Sequence, residues 1–324
     1  MRISRKLANY AWFVLIYNIG VVLFGAYVRI SRSGAGCGSH WPLCNGVVIP
    51  RPEQIETLIE FTHRLTSGLS LPLVIVLLIW AYRAAPRGHQ VRLGASFSLL
   101  FIVTEALVGA GLVLGGWVVD DTSVGRVVMQ SIHLVNTFLL LGSLALTARW
   151  ASGGGRVRLQ RNLAFWALLA AMLGVVMIGV TGAITALGDT IFPSASFLQG
   201  VQQDFSPTAH FLIRLRVWHP VAAATVGFYS FFVGALLALF RSERSTRRLA
   251  MLLIALFGVQ LVAGLINLFL NAPLVMQIIH LFLADMVWIS LILLTADVFA
   301  TQEAWQPETA PQAISPQPSP QPTD

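Results

Sequence analysis

Charge is scarce in this chain: only 11% of its 324 residues are Asp, Glu, Lys or Arg, whereas 56% are hydrophobic. A soluble domain carries about 25% charged residues, so the composition excludes an ordinary water-soluble enzyme. The same shortage of charge excludes intrinsic disorder for most of the chain. The net charge is +7, but the basic residues are not gathered on one element, so no nucleic-acid partner is indicated. The composition therefore predicts an integral membrane protein.

Eight apolar stretches are long enough to cross a bilayer, which takes about 20 residues of helix. They are too long for barrel strands and do not alternate, and helices satisfy their own backbone hydrogen bonds in lipid. The first stretch follows Arg2, Arg5 and Lys6, but no small-residue cleavage site ends it, so we expect a retained helix and not a signal peptide. The predicted spans are 9–30, 58–82, 94–118, 127–148, 163–187, 211–240, 249–270 and 274–299.

The basic residues are divided unequally between the two sides of these spans. Of the 21 Lys and Arg residues, 14 fall on one side and seven on the other, which predicts that the richer side is cytoplasmic. Both termini then lie in the cytoplasm, and we expect a multi-pass protein of the cell membrane. The tail from Thr301 is rich in Pro and Gln and is predicted to be disordered. The outward-facing loops are 31–57, 119–126, 188–210 and 271–273.

Cysteine is almost absent, and the two that occur, Cys37 and Cys44, both lie in the first outer loop. A disulfide can persist there, because the outer side of a bacterial membrane is oxidising. Spacing does not distinguish a structural disulfide from a redox-active pair, although we favour the structural one. A zinc site is disfavoured, since only His40 stands nearby as a further ligand.

The two halves of the chain repeat one pattern. The sequence M-Q-x-I-H-L occurs at 129–134 and again at 276–281, and Gly-Ala pairs occur at 25–26 and 182–183. Each half has an even number of spans, so both insert in the same orientation, as parallel repeats do. The predicted fold class is an all-α integral membrane protein whose eight transmembrane helices form two tandem, pseudo-symmetric four-helix bundles. We expect bundles at 1–150 and 151–300, and the tail at 301–324.

Four histidines begin the spans that run from outside to inside: His63, His133, His219 and His280. They are predicted to lie at one depth near the outer boundary, where ionisable groups usually mark function. A single interfacial histidine is more often a hydrogen-bonded side chain than a ligand, but four that match by repeat favour ligands. Two histidines on facing helices can supply both axial ligands of a haem. The predicted pairs are His63 with His133, and His219 with His280.

The charged neighbours of these histidines differ between the halves. Glu60 lies one turn before His63 and is a candidate proton acceptor, with an ion pair to a nearby arginine as the alternative. The counterpart of Glu60 is Arg216, and the counterpart of Glu105 is Gln260. One half can therefore hold an electron-transfer haem while the other performs chemistry. The arginines that could bind haem propionates are Arg29, Arg64, Arg214 and Arg216.

These motifs resemble the haem A synthases of bacteria and the related mitochondrial assembly proteins. The resemblance covers about residues 9–299. The family typically has Pro-Asp after the first loop cysteine, where this chain has Gly38-Ser39, but the cysteine spacing is kept. The motifs that carry the resemblance are Gly36-Cys37, Trp41-Pro42-Leu43-Cys44, Glu60-x-x-His63-Arg64, Gln130-x-x-His133, His219 and Gln277-x-x-His280.

The resemblance implies an enzyme that oxidises one methyl group of haem O to a formyl group by successive hydroxylations. Haem O would come from a partner farnesyltransferase, the haem O synthase, and the product would go to a haem-copper oxidase. The implied site residues are Glu60 as the catalytic acid, His63, His133 and Arg64 for the substrate haem, His219 and His280 as axial ligands of haem b, and Cys37 with Cys44 as a disulfide over the substrate half.

The four histidines by themselves are also compatible with a second function. A quinol-linked electron-transfer protein would hold haem b permanently in both halves and would need no acid at Glu60. A transporter built from repeats is less favoured, because such proteins usually have inverted repeats or broken helices. The electron acceptor, the source of oxygen and the oligomeric state, including a homo-oligomer, also stay open.

Overall fold

The computed structural model describes residues 4–51 and 54–301, so the predicted disordered tail lies outside the described residues except for Thr301. The described part contains ten helices and one small antiparallel sheet. Their bounds are α1 Arg5–Ile30, α2 Ile55–Ala84, α3 Gln90–Leu114, α4 Val124–Ala151, β1 Arg156–Val157, α5 Leu163–Ile191, α6 Phe197–Asp204, α7 Phe211–Leu215, α8 Trp218–Phe240, α9 Arg244–Phe269, α10 Leu274–Val298 and β2 Ala300–Thr301.

Eight helical spans are long and apolar enough to cross a membrane, as predicted, and the chain is a multi-pass membrane protein. They are 25 to 30 residues long, and α7 and α8 together make the span Phe211–Phe240. Most begin a few residues before the predicted bounds, because a helix continues into the polar interface until a cap satisfies its free N–H groups. Ser4, Ser123 and Asn162 each accept such an N–H at the start of α1, α4 and α5.

The third predicted span was too long at its outer end. It was expected to reach residue 118 with Gly115 and Gly116 in the helix, but α3 ends at Leu114. Gly116 has φ +67°, a left-handed conformation that a glycine adopts without steric cost and that ends the helix. The helix therefore ends four residues earlier than its apolar composition indicates.

Helix contacts divide the molecule into two groups of spans. In the first half, α1 and α3 each contact both α2 and α4. In the second half, α5 and α9 each contact both α8 and α10. The halves meet where α4 contacts α5 and α10, and where α1 contacts α10. Pseudo-symmetry between the halves, and the domain bounds at 150 and 300, stay predictions.

One aromatic pair lies at the centre of the contact between the halves. Trp288 of α10 stacks on Phe138 of α4 with ring centroids 5.1 Å apart. Its indole N–H donates to the Phe138 carbonyl at 2.6 Å, and Gly142 leaves space for the indole. An indole N–H needs such a partner when it is buried. The interface thereby combines close packing with a satisfied hydrogen bond.

The outer segment 188–210 contains structure that the sequence analysis treated as loop. Helix α6 lies there, with Ser196 as its N-cap, and Phe197 packs against Phe269 at 5.0 Å. An eight-residue helix is too short to be recognised as a span. It covers the outer end of the second half and contributes Asp204 to the site described below.

Candidate functional site

The four singled-out histidines occupy matching places in the structure. They lie in the second, fourth, sixth and eighth spans, and each is six to nine residues after the first residue of its span. The helices that carry them are α2, α4, α8 and α10. The placement agrees with one common depth, about two turns in from the ends that lead to the outer loops.

The two rings of the second pair lie close together. The centroids of the His219 and His280 rings are 6.3 Å apart, and the rings are edge-on to each other with planes at 89°. This separation leaves room for one metal ion bonded to a nitrogen of each ring at about 2 Å. The chemistry of two neutral imidazoles suits haem iron, so the residues present fit a haem in this half.

Glycines on neighbouring helices make room for three of the four rings. A methyl group at Gly182 would lie 2.9 Å from Cε1 of His219, and one at Gly264 would lie 3.0 Å from Cε1 of His280. In the first half, a methyl group at Gly25 would lie 3.1 Å from Cε1 of His63. A larger residue at any of these positions would require the ring beside it to shift. The glycines therefore allow the helices to approach the imidazoles closely.

A carboxylate accompanies the first pair. Nδ1 of His133 lies 3.4 Å from Oε1 of Glu105, a residue to which the sequence analysis gave no role. Thr137 and Asn136 donate hydrogen bonds to the same carboxylate and hold it in place. A histidine that binds a metal commonly gives its other ring nitrogen to such a group. This contact leaves Nε2 of His133 as the nitrogen that could bind a metal.

Neutral groups contact the imidazoles of the second pair. Gln260 Nε2 lies 3.3 Å from His280 Nε2, and Thr181 Oγ1 lies 3.3 Å from His219 Nδ1. Gln260 occupies the place that the sequence comparison paired with Glu105. The two pairs thus share a frame but differ in the charge beside their imidazoles.

Glu60 is buried, with 3% of its surface exposed, and it holds the first outer loop. Its Oε2 accepts the Cys37 N–H at 2.7 Å, and its Oε1 accepts Nε of Arg64 at 3.0 Å. Arg64 also donates to the carbonyls of His40 and Leu43 at 2.6 and 2.7 Å. The alternative of an ion pair to Arg64 is therefore realised here. Glu60 lies one turn from His63 at the same time, so it connects the loop with the first pair.

The Cys37–Cys44 disulfide is formed, and both cysteines are buried. The loop is pressed tightly against α2, since a methyl group at Gly36 would lie 2.3 Å from the Glu56 carbonyl oxygen. Thr57 donates from its hydroxyl to the Gly36 carbonyl at 2.7 Å. The disulfide loop therefore rests directly on the helix that carries Glu60.

The arginines predicted to contact propionates have different surroundings. Arg29 donates to acceptors in the second half, Arg216 is buried against two carboxylates, and Arg214 is exposed. Nη1 of Arg216 lies 2.8 Å from Asp189, and its Nε lies 3.0 Å from Asp204. Burial raises the pKa of the Asp204 carboxyl group above its usual value, and the neighbouring Arg216 guanidinium offsets only part of this rise. A propionate role for these three arginines stays a prediction.

Residues 8–292 match the family model described as cytochrome oxidase assembly protein, COX15-CtaA. The chain belongs to this family. The match covers nearly all of the eight spans and includes the four histidines, both cysteines and Glu60. The recognition made from the motifs is thereby confirmed.

Curated relatives of this cytochrome oxidase assembly protein carry two different names. A Thermus thermophilus protein named protoheme IX farnesyltransferase is 55% identical over 89% of this chain and 48% of its own length. Heme A synthase of Halalkalibacterium halodurans is 42% identical over 35% of this chain and 38% of its own length. Heme A synthase of Exiguobacterium sibiricum is 27% identical over 71% of this chain and 74% of its own length. The chain spans about half the length or less of the first two relatives.

Proposed function

We propose that this membrane protein is a haem A synthase, an oxidoreductase that converts one methyl group of haem O to a formyl group by successive hydroxylations. Membership of the cytochrome oxidase assembly family supports the proposal, and so do the relatives named heme A synthase. We place the enzyme in the cell membrane with both termini in the cytoplasm.

The observation that carries the proposal is the unequal charge beside the two histidine pairs. Glu60 and Glu105 accompany His63 and His133, whereas a guanidinium and an amide take the corresponding places in the second half. Removing protons from a substrate requires a base close to it. A carboxylate contacts an imidazole of the first pair, whereas the groups recorded against the imidazoles of the second pair are a hydroxyl and an amide, so we assign the chemistry to the first half.

His219 and His280 would hold haem b, which supplies one-electron transfer when bound. His63 and His133 would bind the iron of the substrate haem, with Glu105 keeping the His133 ring in one orientation. We propose that Arg64 borders the same site, which is supported by its position one residue after His63 and by its hydrogen bonds to the carbonyls of His40 and Leu43. The first half would thus bind haem only as the substrate, whereas the second half would hold haem b as a resident cofactor.

Glu60 is the proposed proton acceptor. In the structure its two oxygens accept from Cys37 and Arg64, so the carboxyl group is held in one orientation, one turn from His63. The guanidinium of Arg64 supplies the hydrogen-bonded partner that a buried carboxyl group needs. A base held in this way is available to a substrate that displaces one of these donors.

The proposed partners act before and after this enzyme. Haem O would come from a farnesyltransferase, and the product would pass to a haem-copper oxidase. The Thermus relative has a further half of its length beyond the part that this chain matches. We assign the farnesyltransferase activity in its name to that other half, in which case the two successive enzymes are linked in one chain there.

The test is expression of the full chain in a membrane that contains haem O, followed by pigment extraction and mass analysis. Hydroxylated haem and haem A are expected. Recovery of unmodified haem O alone, with haem b bound in both halves, would overturn the proposal and favour the quinol-linked electron-transfer protein.

A Glu60→Ala variant separates catalysis from cofactor binding. It should lose product formation by about 100-fold or more, the size of a general base effect, and keep the haem b of the second half. Glu56→Ala, one turn earlier on α2, is the matched control and should keep activity. Unchanged product formation by Glu60→Ala would contradict the assigned role.

A further inference from the structure

Arg29 belongs to the first half by sequence but makes its side-chain hydrogen bonds in the second half. It lies in the last turn of α1. Its Nη1 donates to the Ala186 carbonyl at 2.6 Å and to the Thr190 hydroxyl at 2.7 Å, both on α5. Its Nη2 donates to Oε1 of Gln277 on α10 at 3.0 Å. All three acceptors are neutral.

These acceptors stand next to the histidines of the second pair. Ala186 follows Gly182 by one turn, and Gly182 makes room for the ring of His219. Gln277 precedes His280 by three residues on α10. The Gln277 amide is itself oriented, because its Nε2 donates to the Ala272 carbonyl at 2.7 Å. One guanidinium thus joins the turns that position both rings.

Arg29 is connected to the first pair in the same way. It follows Gly25 by one turn, and Gly25 makes room for the ring of His63. If the repeats are aligned on Gly25 and Gly182, the residue that corresponds to Arg29 is Ala186, whose carbonyl Arg29 binds. Arg29 therefore lies where α1 approaches α5, and its repeat counterpart is a neutral residue. The carboxylate that acts on Arg29 through space, Asp189, is itself paired with Arg216.

We propose that Arg29 is a positioning and tuning residue shared by the two sites, which holds the His219–His280 pair and raises the reduction potential of the haem bound there. A fixed positive charge in a medium of low dielectric stabilises the iron more strongly in its reduced form, which carries one positive charge less. The proposal rests on the proposed function only for the binding of haem to this pair.

The experiment is a spectroelectrochemical titration of the purified, haem-loaded full chain. Arg29→Gln should keep its haem and show a lower midpoint potential than the wild type. Arg29→Lys keeps the charge and should restore most of the shift. Arg32→Gln is the matched control, because it removes an arginine from the same helix end, where the side chain is 47% exposed, and it should leave the potential unchanged.

A second variant tests the proposal even if Arg29→Gln does not fold. Gln277→Glu places a carboxylate against Arg29 and should also lower the midpoint potential while the haem stays bound. An unchanged potential in Arg29→Gln would overturn the inference, as would an equal shift in Arg32→Gln. If Arg29→Gln does not fold, an unchanged potential in Gln277→Glu alone would overturn it. Failure of the wild type to bind haem at His219 and His280 would instead overturn the proposed function.

Discussion

At the scale of single residues, the site is defined by which side chains touch each imidazole. The histidines could be selected from the sequence because they recur at matching places in each half, and Glu60 could be selected because it lies one turn before His63. Glu105 was visible as a lone acid in an apolar span, but its contact with His133 was not, since it depends on how α3 and α4 are rotated against each other. For the same reason, the sequence could not predict that Thr181 contacts His219 or which residues accept hydrogen bonds from Arg29.

Removal of an axial ligand is the first prediction at this scale. His280→Ala should lose the resident haem, because one of the two iron ligands disappears, whereas His63→Ala should keep it. Pyridine haemochrome spectra of the purified variants measure the haem content. Equal loss of haem in both variants would contradict the division of roles between the halves.

Glycine substitution provides the second prediction. Gly264→Ala should reduce haem content and shift the Soret band, because the new methyl group would lie 3.0 Å from the His280 ring. Gly258→Ala, on the same helix, has nothing within 4 Å and should be tolerated. Alanine also favours a helix by about 1 kcal/mol over glycine. Similar spectra for the two variants would show that Gly264 does not determine the ring position.

At the scale of elements, the first outer loop and α2 act together. The sequence predicted the disulfide through its resemblance to a family, and the disulfide is formed. That the loop also receives hydrogen bonds from Arg64 and gives one to Glu60 follows only from the folded contact. Helix α6 is a further element that periodicity did not reveal, because eight residues are too few to show it.

Loss of the disulfide is the prediction at this scale. A Cys37→Ser, Cys44→Ser double variant should lower the free energy of unfolding by about 2 kcal/mol, as expected for a short closed loop. It should also lower product formation, because the Cys37 N–H no longer holds Glu60 in place. Thermal melting in detergent and the product assay measure the two effects. An unaltered product yield would show that the loop does not position Glu60.

At the scale of the whole molecule, the halves are joined by the contacts of α4 with α5 and α10 and of α1 with α10. Trp288 and Phe138 stack across the interface, and Arg29 crosses it near the outer end. Without a strong hydrophobic driving force in lipid, such packing and hydrogen bonds hold membrane helices together. The unequal distribution of Lys and Arg between the connections at the two ends of the spans is likewise a property of the whole chain.

Truncation of the interface tryptophan tests this description. Trp288→Ala should lower stability by about 3 kcal/mol, the usual cost of removing a large buried aromatic side chain, and leaves the Phe138 carbonyl without its donor. Trp166→Ala is the control, since Trp166 is 56% exposed. Melting of the haem-loaded protein measures both. Equal melting temperatures would show that the halves do not depend on this contact.

Topology is the last prediction at this scale. Single cysteines introduced at Ser242 and Ser194 in a variant without Cys37 and Cys44 should be labelled from opposite sides of the membrane. Ser242 lies in an Arg-rich connection and is expected on the cytoplasmic side. Labelling of Ser242 from the outer side would contradict the predicted orientation of both termini.

The sequence by itself determined the membrane class, the eight spans, the four histidines and the cysteine pair. These features are set by composition, by length against bilayer thickness and by spacing along single helices. The tertiary structure decided the partners: Glu105 beside His133, Arg64 between Glu60 and the loop, and Arg29 in the opposite half. Such contacts between side chains depend on how two packed helices are rotated against each other and on glycines that let them approach closely. A single helix considered alone does not determine either property.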